Sequence, residues 1–264
     1  MNRPIGLAAL TVLELPHEEQ IRVAAQAGYT HVGLRLVPVA GQPYEHSFDV
    51  SKVERTLIDF DVRVLDVEVF RLTPETKVGD FEAILEASAR LKASELLVHG
   101  ADPDEARLAT MFGALCDIAA RHGLAANLEP MPWVDVSNVG SALRILDLAA
   151  RENSGVLVDA IHFFRGGDTP AVLSGVPPKR IRYAQLCDAR PGVPAQMDEI
   201  IRQARSDRLF PGEGALDLRG LLAALPAAVP LSLEVPVSQK LAPLERARRA
   251  LEATKAILGP AEGT

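Results

Sequence analysis

Four oxygen-bearing side chains close short apolar runs along the chain: Glu129 in LAANLE, Asp159 in GVLVD, Gln185 in IRYAQLCD and Glu234 in PLSLEV. Side chains of a strand alternate between its two faces, so Leu124, Ala126 and Leu128 would point one way and Ala125, Asn127 and Glu129 the other. The same parity turns Asp159, Gln185 and Glu234 to the face of Glu129. Three carboxylates meeting in a low-dielectric space repel one another and take up protons unless a cation neutralises them. Oxygen donors without cysteine suit one hard or borderline divalent ion, Mn2+ or Mg2+ first, with Co2+ or Zn2+ as further candidates. Such an ion stabilises the charge that develops when a proton leaves a carbon next to a carbonyl. Glu129 and Glu234 are then the expected catalytic pair, one removing the proton and the other returning it. The plainer alternative is that each carboxylate caps the following helix or pairs with an arginine.

Other residues are placed around this point by the same alternation. Glu68 in VRVLDVEVF and His99 in ELLVHG face inward and are expected to line a substrate pocket. Arg35, closing HVGLRL, offers a fork of donors to a carboxylate or phosphate, or else pairs with Glu68. Trp133 follows Glu129 on its loop as an apolar wall or as ordinary packing. The PGEG segment, Pro211 to Gly214, is a candidate phosphate loop. Arg208 beside it is expected to be solvated, as surface arginines usually are, with contact to an anionic substrate the alternative.

The elements that must position these groups form a repeating pattern. Eight apolar runs rich in Val, Leu and Ile, at 5–10, 31–36, 62–70, 95–100, 124–129, 155–159, 181–188 and 230–235, each precede a stretch of helical period. Pro or Asp at the starts of those stretches, and Gly at several ends, agree with helix punctuation. Eight βα units predict an α/β fold of one kind, a single (β/α)8 TIM barrel spanning 1–264, whose strand C-termini bring chemistry to one mouth. A doubly wound open sheet is the rival, weakened by the lack of a Gly-rich turn after the first run. The interval from Gln185 to Glu234 is longer than the others and predicts an elaborated loop over the mouth, able to act as a lid.

Composition sets limits. The 264 residues are 48% hydrophobic and 24% charged with a net charge of −7, which disfavours nucleic acid and anionic membrane and leaves a small molecule as the default ligand. Cys116 and Cys187 lack metal-ligand spacing and are expected to be reduced thiols. With no apolar run long enough for a signal or a span, a cytoplasmic location is expected. A homo-oligomer is left open.

Taken together, AAQAGYTHVGLRL, NLEP, VDAIHF, YAQLCDA, FPGEG and SLEVP resemble the xylose isomerase-like barrel superfamily over essentially the whole chain. That superfamily includes sugar and sugar-phosphate isomerases and epimerases, inosose dehydratases, dehydroshikimate dehydratases and the AP endonuclease family. The resemblance implies a metal held by Glu129, Asp159, Gln185 and Glu234. Gln185 departs from the usual His and leans the site towards hard metals. It also implies that His162, in DAIH, touches a substrate oxygen, against the plainer reading of a cap or structural histidine, and that Asp135 is a substrate-binding acid. The implied activity is isomerisation or epimerisation of a keto sugar, sugar phosphate or polyol ketone. The alternative is dehydration of a dehydroshikimate- or inosose-like substrate. An AP endonuclease is opposed by the acidic charge and by Gln185, and a non-catalytic metal-binding subunit would bind metal without turnover.

Overall fold

The computed structural model describes residues 3–39 and 46–259; the outermost residues of the expected 1–264 domain lie outside these. Eight parallel strands close a barrel in chain order. They are β1 (Ile5–Leu7), β2 (His31–Arg35), β3 (Arg63–Leu72), β4 (Glu95–Gly100), β5 (Ala125–Leu128), β6 (Ser154–Asp159), β7 (Ile181–Leu186) and β8 (Leu231–Leu233). The α-helices are α1 (His17–Ala27), α2 (Val50–Phe60), α3 (Glu82–Arg90), α4 (Glu105–Arg121), α5 (Val139–Ala149), α6 (Ala160–Arg165), α7 (Pro170–Leu173), α8 (Met197–Ser206), α9 (Leu218–Ala224) and α10 (Pro243–Leu258). This is the expected (β/α)8 barrel. No helix among the described residues is long and apolar enough to cross a membrane.

Strand alternation divides the apolar side chains between two cores. Outward residues such as Val32, Leu34, Val67, Leu96, Leu128 and Val158 join the helices in the larger one, while Leu65, Val69, Leu97, Leu157 and Tyr183 fill the barrel axis. Registers then place the polar inward positions level with each other, Arg35 beside Glu68 and Asp159 beside Gln185. Helix ends follow local chemistry. The Asp49 carboxylate accepts from the Ser51 and Lys52 amides at the start of α2, a cap that stabilises a helix by about 1 kcal/mol, and Asn138 and Ser141 form a reciprocal capping box on α5. Gly28 ends α1 at φ 94°, a left-handed conformation that costs glycine little.

Three strand ends differ from expectation. The first run turns into a 3-10 helix at Ala9–Val12, where Thr11 Oγ1 donates to the Leu233 carbonyl and accepts from the Val235 amide. The seventh run stops at Leu186, because Asp188 leaves the sheet to bridge Leu209, and the eighth is only Leu231–Leu233. Continuous apolar runs give no sign of where pairing stops.

Candidate active site

Glu129, Asp159, Gln185 and Glu234 meet at the mouth of the barrel, all buried. What joins two of them is Arg208, which has only 2% of its surface exposed. Its Nη1 donates to Asp159 Oδ2 and its Nη2 pairs with Glu234 Oε2, each at 2.6 Å, while Nε donates to the Ala204 carbonyl at 2.7 Å. The expectation of a solvated Arg208 is therefore wrong. The chain between α8 and the PGEG turn folds inward and delivers the guanidinium to the barrel axis. Gln185 Nε2 donates to Glu234 Oε1 at 3.2 Å, and Gln185 Oε1 has no hydrogen-bond partner among the described residues. Asp159 also accepts the His162 amide at 3.1 Å, so the plainer reading of a helix cap paired with an arginine holds for this residue while its oxygens still face the common point.

The charges do not balance. One guanidinium faces three carboxylates, and burial is the leading influence on all of them. Burial and then Asp159 push the Glu129 carboxyl well above its ordinary range. Burial likewise raises Glu234, against the pull of Arg208. Asp159 ends low, because Arg208 and the His162 backbone amide outweigh its burial. His99 shares a 2.7 Å hydrogen bond with Glu129 Oε2, and His162 Nε2 lies 3.9 Å from Glu129 Oε1. Both imidazoles are pushed down to about 3, first by burial, and stay neutral at ordinary pH. They can hold or pass a proton but add no positive charge.

Above these groups opens a cavity of about 380 Å³, a size suited to a small ligand. Arg35, Glu68, His99, Glu129, Trp133, His162, Arg208 and Glu234 line it. Glu68 takes Arg35 on Oε1 at 2.7 Å, the pairing anticipated as the alternative, and its Oε2 has no hydrogen-bond partner among the described residues. Trp133 stands edge-on to His162 with ring centroids 4.9 Å apart, so the two form one wall. Asp135 does not join them: it is exposed on the same loop and lines no part of the cavity. Sequence reasoning missed Arg71, Arg205, Phe81 and Met131 at the rim. Arg71 and His99 sit opposite each other in the β3–β4 register, a signal that the strand pairing carries.

The PGEG turn is not a free phosphate loop. The Asp188 carboxylate accepts from the amides of Ala189, Gly212 and Leu216, so a side-chain anion already occupies that nest. A Cβ on Gly214 would lie 2.3 Å from Asp188 Oδ1, which is why glycine stands there. The segment between β7 and β8 contributes Ala204, Arg205 and Arg208 to the cavity and is fastened by Asp188.

The donor set suits a divalent ion. Glu129, Asp159 and His162 each present one ligand atom within 4.8 Å of the others, and the Gln185 carbonyl oxygen is buried without a donor. Burial and neighbouring carboxylates raise Glu129 and Glu234, and a cation bound there would favour their ionised forms. The thiols do not belong to this set: Cys187 meets Arg208 Nη1 at 3.4 Å and its thiol is pushed up to about 12 by burial, and Cys116 is free and buried elsewhere.

Comparison with known proteins gives a consistent picture. The chain is 31% identical over 136 residues to a 3-dehydroshikimate dehydratase of Pseudomonas aeruginosa, a match covering 50% of this chain and 21% of that protein. It therefore spans about a fifth of the length of the curated dehydratases it matches. It is 29% identical over 158 residues to an inosose isomerase of Bacillus velezensis, covering 57% of this chain and 54% of that one. Among solved structures, the IOLI protein with a bound zinc atom superposes with a TM-score of 0.80 at 20% identity, over 97% of this chain and 98% of that one. A D-allulose 3-epimerase from Methylomonas superposes at 0.71 and 20% identity, over 96% of each chain. At such identities these structures speak for the fold. The family model described as xylose isomerase-like TIM barrel matches residues 21–257, and the chain belongs to that family.

Proposed function

We propose that this chain is a divalent-metal-dependent isomerase or epimerase of a keto sugar, sugar phosphate or related polyol ketone. One observation carries the reading: three buried carboxylates, Glu129, Asp159 and Glu234, meet beneath a small-molecule cavity, where Arg208 pairs with Asp159 and Glu234 and burial raises the two glutamates well above their ordinary range. Glu129, Asp159, Gln185 and Glu234 would hold the ion, Mn2+ or Mg2+ by the hardness of the donors, with Co2+ or Zn2+ as further candidates. The ion supplies electrostatic stabilisation of the negative charge that develops on a substrate oxygen. Glu129, as the carboxylate hydrogen-bonded to neutral His99, would take the proton from the carbon beside the carbonyl, and Glu234, raised and proton-bearing, is the second carboxyl for its return. Arg208 keeps Asp159 and Glu234 aligned. Trp133 and His162 form the wall against which the substrate rests, and His162 Nε2 is close enough to Glu129 to meet a substrate oxygen bound there.

A dehydratase is the second reading, favoured by the 31% identity to a 3-dehydroshikimate dehydratase. The same deprotonation would then be followed by loss of hydroxide instead of reprotonation. Exchange of the α-proton for deuterium tests both at once. Incubation with ketoses, an inosose or 3-dehydroshikimate in deuterated water with Mn2+ should give label at the carbon next to the carbonyl, or a conjugated product absorbing in the near ultraviolet. Metal binding without label or product from any of these would overturn the enzymatic reading in favour of a metal-binding subunit.

A further inference from the structure

The cavity rim carries two positive charges that the protein itself does not use. Four arginines line this space: Arg35, Arg71, Arg205 and Arg208. Arg35 is paired to Glu68, and Arg208 to Asp159 and Glu234. Arg71, near the end of β3, and Arg205, in the last turn of α8, have no ion pair among the described residues. The contrast is local. Arg202, one turn earlier on α8, is bound to Glu199 and Asp207. The two rim arginines reach one cavity from different elements, β3 and α8. Arg71 lies level with His99 across the β3–β4 pair. An unspent pair of guanidiniums lining one small cavity is a recognition element for an anion, because each presents a planar fork of donors to carboxylate or phosphate oxygens.

We infer that Arg71 and Arg205 form an anion subsite, and that the substrate of this pocket is a polyol ketone carrying a carboxylate or a phosphate group in place of a neutral ketose. This rests on the cavity being the substrate pocket. The ketone end goes to Glu129 and Glu234 at the floor and the anionic end to the rim. The apolar stretch of Val37, Pro38, Phe81 and Met131 lines the space with them.

Trp133, the single tryptophan of the chain, lines the same cavity and reports binding by its fluorescence. Two probe pairs differ only in charge: shikimate against its methyl ester, and fructose 6-phosphate against fructose, each titrated with and without Mg2+. The expected result is that at least one charged member binds about tenfold or more tighter than its neutral partner, a preference that shrinks with added salt. Preference confined to the first pair assigns a carboxylate, and to the second a phosphate. In Arg71→Gln/Arg205→Gln the preference should collapse towards unity. Equal affinity within both pairs, a preference that survives in the double variant, or no fluorescence response to any probe would overturn the subsite. The readout needs no turnover, so a protein that prefers the anions yet exchanges no α-proton refutes the proposed reaction alone. Turnover of a neutral ketose without charge preference refutes the subsite alone.

Discussion

The Glu95–Arg182 pair and the mouth of the barrel handle buried charge in different ways. Near the N-terminal end of the strands, Glu95 accepts from Arg182 Nε at 2.7 Å and Nη2 at 3.1 Å, and from Asn127 Nδ2 at 2.9 Å. The Glu95 carboxylate meets one guanidinium and one amide, while Asn127 Oδ1 and both oxygens of the neighbouring Asp66 have no hydrogen-bond partner among the described residues. At the mouth, one guanidinium is divided between Asp159 and Glu234, Glu129 is left with a neutral histidine, and Gln185 Oε1 has no hydrogen-bond partner among the described residues. A closed ion pair contributes to the fold, whereas a carboxylate excess next to a cavity is maintained at a cost in stability and is useful only when something else enters. Carboxylate, guanidinium and carboxamide thus form an ion pair at Glu95 and a shared, charge-unbalanced set at the mouth.

The largest effect that sharpens this contrast is on turnover. Glu129→Gln and Glu234→Gln should each lower kcat by about 10²–10⁴-fold in an exchange assay while the protein stays folded by circular dichroism, since removal of a general acid–base is felt on that scale. Glu95→Gln should do the reverse, leaving kcat of the folded protein near wild type. A large kcat loss in Glu95→Gln would erase the distinction between that pair and the mouth.

Next in size is Arg208→Met. It strips from Asp159 and Glu234 the guanidinium that they share and should destabilise the metal-free protein by about 3–5 kcal/mol in urea melts. Added Mn2+ should recover much of that loss, because a cation relieves the same excess charge. A variant as stable as wild type without metal would show that Arg208 does not balance these carboxylates. Glu95→Gln, which leaves Arg182 partly exposed to water, should cost less, about 1–3 kcal/mol.

The smallest effect is in pH. His99 and His162 are neutral in the fold down to about pH 3, whereas the unfolded chain protonates them near 6.5. Their contribution is complete above pH 6.5 and is lost as pH falls towards 3. Glu129 works in the other direction: its raised folded pKa makes stability fall as pH rises above about 4.5, the unfolded value. Between about pH 4.5 and 6.5 the two offset. Glu129→Gln should therefore steepen the loss of stability on acidification from pH 6.5, by at most about 1.4 kcal/mol per pH unit for each proton uncovered. An unchanged slope in thermal melts across that range would count against the raised Glu129.

Much of this was legible in the sequence. Alternation along LAANLE, GVLVD and PLSLEV turned Glu129, Asp159 and Glu234 inward because strand geometry leaves no other option, and eight such units favour closure. Parity also found Glu68 and His99. Arg208 escaped because it lies on no strand: its inward course is set by the Asp188 carboxylate gathering the 209–216 turn, which depends on contacts far apart in sequence. For the same reason PGEG resembled an anion loop without showing that Asp188 fills it. Asp135 was placed by resemblance to other chains, and its loop directs Trp133 and Val134 to the cavity instead.

Calorimetric titration of the metal-free protein with Mn2+ bears most directly on the mouth as a cation site. Wild type should bind one ion and release protons on binding, as the raised carboxyls ionise. Glu129→Gln and Asp159→Asn should each weaken that binding at least tenfold, equivalent to about 1.4 kcal/mol. One-to-one binding of undiminished affinity in both variants, or no binding to the wild type, would contradict the account.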